Sequence, residues 1–275
     1  MERFAQRWNE LVRARLDELE ALRPGGGPSS SSFWEARADQ LAARMSDADA
    51  DAPLLAPLVA ALEPTDTVID VGAGTGRFTL AVAPHVAEVV AVDPSEAMLE
   101  HLREAAARRD ITNVRYERAR WEDATPRGDV VVCGYVLPLI SDVAPFVRRL
   151  DAAARQQAFI YLSGTLPDVC HAPFWQHFRG QPRAPAPTYL DALAVLQEQG
   201  LAPIPRIVEA PVRARFADLD EAVSDFRENL MLSETDEVVG ELTDLLAAWL
   251  VDTGDGRLRP PFATLPVAIL SWTAR

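Results

Sequence analysis

Two carboxylates and three glycines set the chemistry this chain can do. Asp70 precedes Gly72, Gly74 and Gly76 in the run T-V-I-D-V-G-A-G-T-G-R-F from Thr67 to Phe78, and Asp93 closes the apolar run Val89 to Val92. Glycines leave backbone N–H groups unobstructed, so a ligand can approach the main chain closely, as nucleotides do at a glycine turn. A dinucleotide fingerprint needs G-x-G-x-x-G; the spacing here is G-x-G-x-G, with Arg77 next, which weakens a pyrophosphate reading. A carboxylate at Asp70 would repel pyrophosphate and attract a cationic amino group, so a ligand carrying an amino acid fits better. Asp93 can accept hydrogen bonds from both hydroxyls of a ribose. His171 and His177 could serve as a side-chain base toward an acceptor that carries a proton.

These residues need a sheet to position them. Val68, Ile69 and Val71 form a β-branched run suited to a strand buried on both faces of a parallel sheet, ending at Gly72 before a helix that Arg77 and Phe78 continue. Ser95 caps the next helix, to Arg109, and Val114 to Tyr116 is the third strand. Asp129 to Tyr135 is the fourth strand, and its end places Tyr135 where ligands bind in an open α/β sheet. Asp142 to Ala154 and Ala158 to Leu162 add a helix and a fifth strand, giving doubly wound β-α repeats. Upstream, Phe4, Trp8, Leu11, Val12, Leu16, Leu19 and Leu22 recur at helical spacing, a linker follows from Pro24 to Ser32, and helices are expected at Phe33 to Met45 and Asp51 to Leu62. Downstream, a long proline-rich loop carries Phe174 and Trp175, helices are expected at 188–199, 219–232 and 237–251, and strands at 201–208 and 265–272.

Strand, glycine turn, helix, strand and Asp93 in this order resemble the S-adenosylmethionine-binding motifs of class I methyltransferases. The resemblance is good from Thr67 to about Leu162 and holds only in outline beyond. It implies an α/β, Rossmann-like, mostly parallel seven-stranded sheet with helices on both faces and a small helical cover. It further implies S-adenosyl-L-methionine as cofactor, held by Asp70, Gly72, Ala73, Gly74, Gly76, Asp93, Pro94, Met98 and Gly134. Arg120-Trp121-Glu122-Asp123 is similar to the family's adenine-binding segment; Arg120 stands where an acidic residue is common, so Asp123 is favoured for the adenine amino group, then Glu122, with Trp121 as packing surface. Tyr135 lies near the transferred methyl in this scheme. Trp34, Phe174 and Trp175 are the expected substrate cover. The D/N-P-P-Y cluster of nucleobase and glutamine methylation is absent at Gly134 to Pro138.

The implied function is in-line methyl transfer to a small molecule, most of it achieved by proximity. The rivals are aminopropyl transfer from decarboxylated S-adenosylmethionine and a non-catalytic cofactor-binding partner protein. The expected division is a helical cover or arm (1–50), a cofactor-binding core (51–166), the aromatic loop (167–187) and the rest of the sheet (188–275) with a helical insertion at about 212–258. The first helix is a lid or an arm that makes a homodimer.

Composition bounds the rest. The chain has 275 residues, 48% hydrophobic, with a net charge of −14, and all 27 of its basic residues are Arg. Without lysine, Schiff-base chemistry and a P-loop lysine are excluded. The acidic balance argues against a nucleic-acid substrate. The two cysteines, Cys133 and Cys170, have neither disulfide-framework nor zinc spacing, so no metal is expected. No apolar run of membrane-spanning length or leader-like start is present, which gives the expectation of a cytoplasmic protein with no membrane partner.

Overall fold

The computed structural model describes residues 3–22, 52–164, 169–212 and 214–275. Trp34, the linker before it and the helix expected at Phe33 to Met45 lie outside them. Seven strands form one sheet: β1 (Thr67–Val71), β2 (Glu88–Asp93), β3 (Val114–Arg118), β4 (Gly128–Gly134), β5 (Ala154–Ser163), β6 (Ile204–Pro211) and β9 (Thr264–Thr273). Their order is β3-β2-β1-β4-β5-β9-β6. The first five are parallel and β9 runs antiparallel between β5 and β6. The order reverses at β1, so β1 and β4 diverge there and leave a crevice at their carboxyl ends. The seven-stranded, mostly parallel expectation is met. Pro205 is accommodated because β6 is an edge strand.

Helices cover both faces. On one lie α1 (Arg3–Ala21), α5 (Val143–Ala153) and α7 (Tyr189–Glu198), packed through Trp8, Phe146, Val147 and Val195 onto Ile69, Val71, Val131 and Cys133. On the other lie α2 (Ala52–Val59), α3 (Thr79–Val82) and α4 (Glu96–Ala107), packed onto Val68, Val89, Ala91 and Val130. Ser95 caps α4 as expected, its hydroxyl accepting from the N–H of Met98. The helix expected to run through Arg77 and Phe78 begins only at Thr79 and is four residues long. The turn therefore runs on through Phe78, and a full helix dipole does not stand behind it.

A third core forms a helical cap. The stretch expected to be a loop holds α6 (Ala172–Arg179), which packs with α8 (Leu219–Leu230) and α9 (Asp236–Trp249) around Trp175, Phe216, Phe226, Leu242 and Leu246. A two-stranded ribbon, β7 (Val251–Asp252) and β8 (Leu258–Arg259), closes it. Among the described residues no helix is long and apolar enough to cross a membrane.

Candidate functional site

The carboxyl ends of β1, β2 and β4 open onto a cavity of about 530 Å³. Gly72, Ala73 and Gly74 of the turn line it, with Asp93 at the end of β2 and Pro94 and Met98 beyond it, Trp121 and Glu122 after β3, and Gly134 at the end of β4 with Tyr135 next. Ten residues chosen from scattered positions in the sequence therefore share one wall.

Asp93 ties the two turns together. Its Oδ2 accepts from the N–H of Gly74 and its Oδ1 from the N–H of Ser95, both at 2.9 Å. Burial pushes its carboxyl above the ordinary carboxylate range, against the pull of those two bonds. Each oxygen keeps a lone pair for a further donor. Gly74 has φ +53°, and a Cβ built on it meets nothing within 4 Å, so its surface faces open space. Gly72 and Gly76 differ: a Cβ would come within 2.2 Å of Val136 and of Leu102 respectively. Gly76 does not line the cavity, and its role is to let α4 pack on the turn.

Asp70 does not line the cavity either. It is buried beneath the turn, where Oδ2 accepts from the N–H of Thr79 at 3.0 Å and from its hydroxyl at 2.6 Å. The expected direct contact with a ligand amino group is corrected to a first duty of fastening the turn to α3. Its Oδ1 has no hydrogen-bond partner among the described residues, and burial, with a smaller push from Asp93, raises its pKa to about 6. A buried carboxylate with one free oxygen suits a cationic ligand nearby.

Other expectations need correction. Glu122 lines the cavity and Asp123 does not, reversing their expected order; Glu122 pairs with Arg120 at 3.6 Å. His171 packs on Phe226 in the cap and His177 pairs with Glu241 at 2.8 Å, so neither histidine is at the cavity. Phe174 and Trp175 are buried in the cap core, not on the cavity wall. The stretch expected to be a loop thus supplies, through α6, aromatic rings that fill the core of the three-helix cap.

Several wall residues escaped the sequence reading: Arg77 and Phe78 on the turn, Val136, Leu139 and Ile140 after Tyr135, Phe146 on α5 and Ala214. The rule that ligands sit beyond strand ends could have found the segment after Tyr135; nothing in the sequence marks Ala214. Tyr135 itself has φ +62°, a left-handed backbone unusual for a tyrosine, and the Arg77 guanidinium lies 5.2 Å from its ring centre. The orphaned Asp70 oxygen, the open face at Gly74 and the half-used Asp93 carboxylate together fit a ligand with an ammonium, a ribose and room against the turn.

A family model described as a methyltransferase domain matches residues 68–157. The uncharacterized methyltransferase YcgJ of Bacillus subtilis is 32% identical over 92 residues, 32% of this chain and 36% of that protein. Its crystal structure superposes with a TM-score of 0.54 at 18% identity, covering 80% of this chain and 97% of YcgJ. The 23S rRNA (uracil(1939)-C(5))-methyltransferase RlmD of Alkalilimnicola ehrlichii is 45% identical over 56 residues, 20% of this chain and 13% of RlmD. The tRNA (uracil-5-)-methyltransferase homolog A of Mus musculus is 28% identical over 127 residues, 42% of this chain and 21% of that protein. The match thus spans little more than a third of these curated relatives at most. Two of them are RNA methyltransferases by name, so the exclusion of nucleic acid drawn from composition does not stand: net charge describes the whole surface, not the acceptor site. The cofactor of that domain is S-adenosyl-L-methionine. The chain carries a class I S-adenosylmethionine-dependent methyltransferase domain.

Proposed function

We propose that this chain transfers a methyl group from S-adenosyl-L-methionine to a small-molecule acceptor. The observation that carries the reading is the meeting of the open Gly74 face with the Asp93 carboxylate in one cavity at the sheet's switch point. The cofactor, when bound, supplies an electrophilic methyl on a sulfonium. In this reading Asp93 accepts the ribose hydroxyls, Glu122 the adenine amino protons beside Trp121, and Asp70 lends negative charge from beneath the turn. Tyr135, with Arg77 against its ring, forms the wall at the end of β4. With the histidines elsewhere, the chain's contribution to catalysis is orientation and exclusion of water. The apolar wall of Val136, Leu139, Ile140 and Phe146 supports a small acceptor.

A second reading, RNA as acceptor, is favoured by the names of the relatives. Titration calorimetry with S-adenosyl-L-methionine tests the cofactor. Radiolabelled methyl transfer, run in parallel on metabolite pools and on total RNA, then decides the acceptor. Label entering RNA alone overturns the small-molecule reading; cofactor binding without transfer to either pool favours a non-catalytic partner protein.

A further inference from the structure

Helix α1 touches both the sheet core and the cap. Ala5, Trp8 and Val12 lie in the sheet core, whereas Leu22, just past the helix end, packs against the cap core. Its N-terminus is fastened to α7, where Glu198 accepts from the N–H groups of Phe4 and Ala5 and Asp191 pairs with Arg7 at 3.1 Å. Toward its other end Glu18 accepts from the N–H of Ala184 at 2.7 Å and from Nε of Arg183 at 3.3 Å. The Arg183 guanidinium in turn lies 4.3 Å from the centre of the Trp175 ring.

Held at both ends, α1 presents two polar groups to one short segment. The buried Trp8 donates its indole N–H to the carbonyl of Ile140 at 2.8 Å. Asn9 Oδ1 accepts from the N–H of Val143 at 3.5 Å, the first amide of α5, whose N-cap Asp142 makes no capping bond of its own. That segment is cavity wall: Val136, Leu139 and Ile140 line it, and Val136 lies directly against Gly72. Its own regular structure is one 3₁₀ turn, Leu137–Leu139, a form with poor hydrogen-bond geometry. External fastening therefore decides where this wall stands.

We infer that Trp8 is a positioning residue for the cofactor cavity, and that α1 is a brace that holds the wall after β4. The inference rests on the cofactor reading above and is independent of the acceptor. The test is calorimetric titration with S-adenosyl-L-methionine on the full chain, alongside thermal unfolding without ligand. Trp8→Phe keeps a ring in the core and deletes the N–H; it should raise Kd roughly three- to tenfold, the range for one lost hydrogen bond. Leu58→Ala truncates the core on the opposite sheet face and should lower the melting temperature at unchanged Kd. A wild-type Kd in Trp8→Phe overturns the proposal, as does an equal loss of affinity in Leu58→Ala, which would reduce the effect to general destabilisation. If Trp8→Phe does not fold, Asn9→Ala carries the test: its Kd should rise about two- to fivefold, and Asn9→Asp, which keeps the acceptor oxygen, should restore it. An unchanged Kd in Asn9→Ala then overturns the proposal. A wild-type chain that takes up no S-adenosyl-L-methionine removes the cofactor reading itself and this inference with it.

Discussion

Asp70, one residue before the end of β1, and Asp93, the last of β2, are both buried, yet they differ in how their charge is held. Asp93 has both oxygens on backbone N–H groups, so Asp93→Ala orphans Gly74 and Ser95 as well as removing the proposed ribose contact. Cofactor affinity should fall about tenfold or more, because each charge-assisted hydrogen bond is worth roughly 1.5–3 kcal/mol. Ligand-free stability should fall too, by about 1–3 kcal/mol, an effect no sequence pattern reveals. Titration and denaturant melts on this variant check both; wild-type affinity would displace Asp93 from the cofactor site. Asp70 predicts a pH dependence. Its folded pKa of about 6 lies above the ordinary 3.8, chiefly through burial. Well below the unfolded value of 3.8 both states are protonated. As pH rises the unfolded chain ionises first, and above pH 6 the folded protein carries a buried charge at a cost on the order of 3 kcal/mol. Asp70→Asn can keep its oxygen on Thr79 and should gain stability relative to wild type between pH 4 and 6, then level off. Denaturant melts across pH 4.5 to 7.5 read this directly, and parallel profiles would mean that the carboxyl is not desolvated.

The glycine turn is the element on which the site depends, and its glycines are required for different reasons. At Gly72 and Gly76 a Cβ would strike protein, whereas at Gly74 it would enter open space in the cavity at φ +53°. Gly74→Val should therefore fold, at a backbone cost of roughly 1–2 kcal/mol, and fail to bind. A variant whose melting temperature still rises with added S-adenosyl-L-methionine would remove the turn from the site. This turn was legible in the sequence because strand, glycine spacing and Asp93 follow one another along the chain, and the strand-end rule does the rest. What was not legible has identifiable causes. Helix α6 was hidden among prolines, although Pro173 sits in its first turn, where the missing N–H costs nothing. The ribbon of β7 and β8 is too short to leave a period. The placement of β9 between β5 and β6 is a pairing across more than fifty intervening residues, with the cap helices between. The order of Glu122 and Asp123 depends on one loop's path, which has no period to read.

At the scale of the molecule, the sheet and the cap are separate cores joined through α1 and the strands that flank the cap. Trp175 belongs to the cap core: 2% exposed, with Arg183 against its ring, and its indole nitrogen has no hydrogen-bond partner among the described residues. A ring chosen to close over an acceptor would present a face to the cavity, and this one does not. Trp175→Ala should thus act by leaving a cavity in the cap, lowering stability by about 3–5 kcal/mol. Trp175→Phe, which retains most of the ring volume, should cost less. Apart from Ala214, the described cavity wall comes from the sheet side, so cofactor affinity measured well below the melting temperature should stay near the wild-type value in both variants. Unfolding temperature and titration measured together check the assignment. An unchanged melting temperature combined with loss of methyl transfer would return Trp175 to the acceptor site, and a matched fall in stability and cofactor affinity would mean that sheet and cap unfold as one.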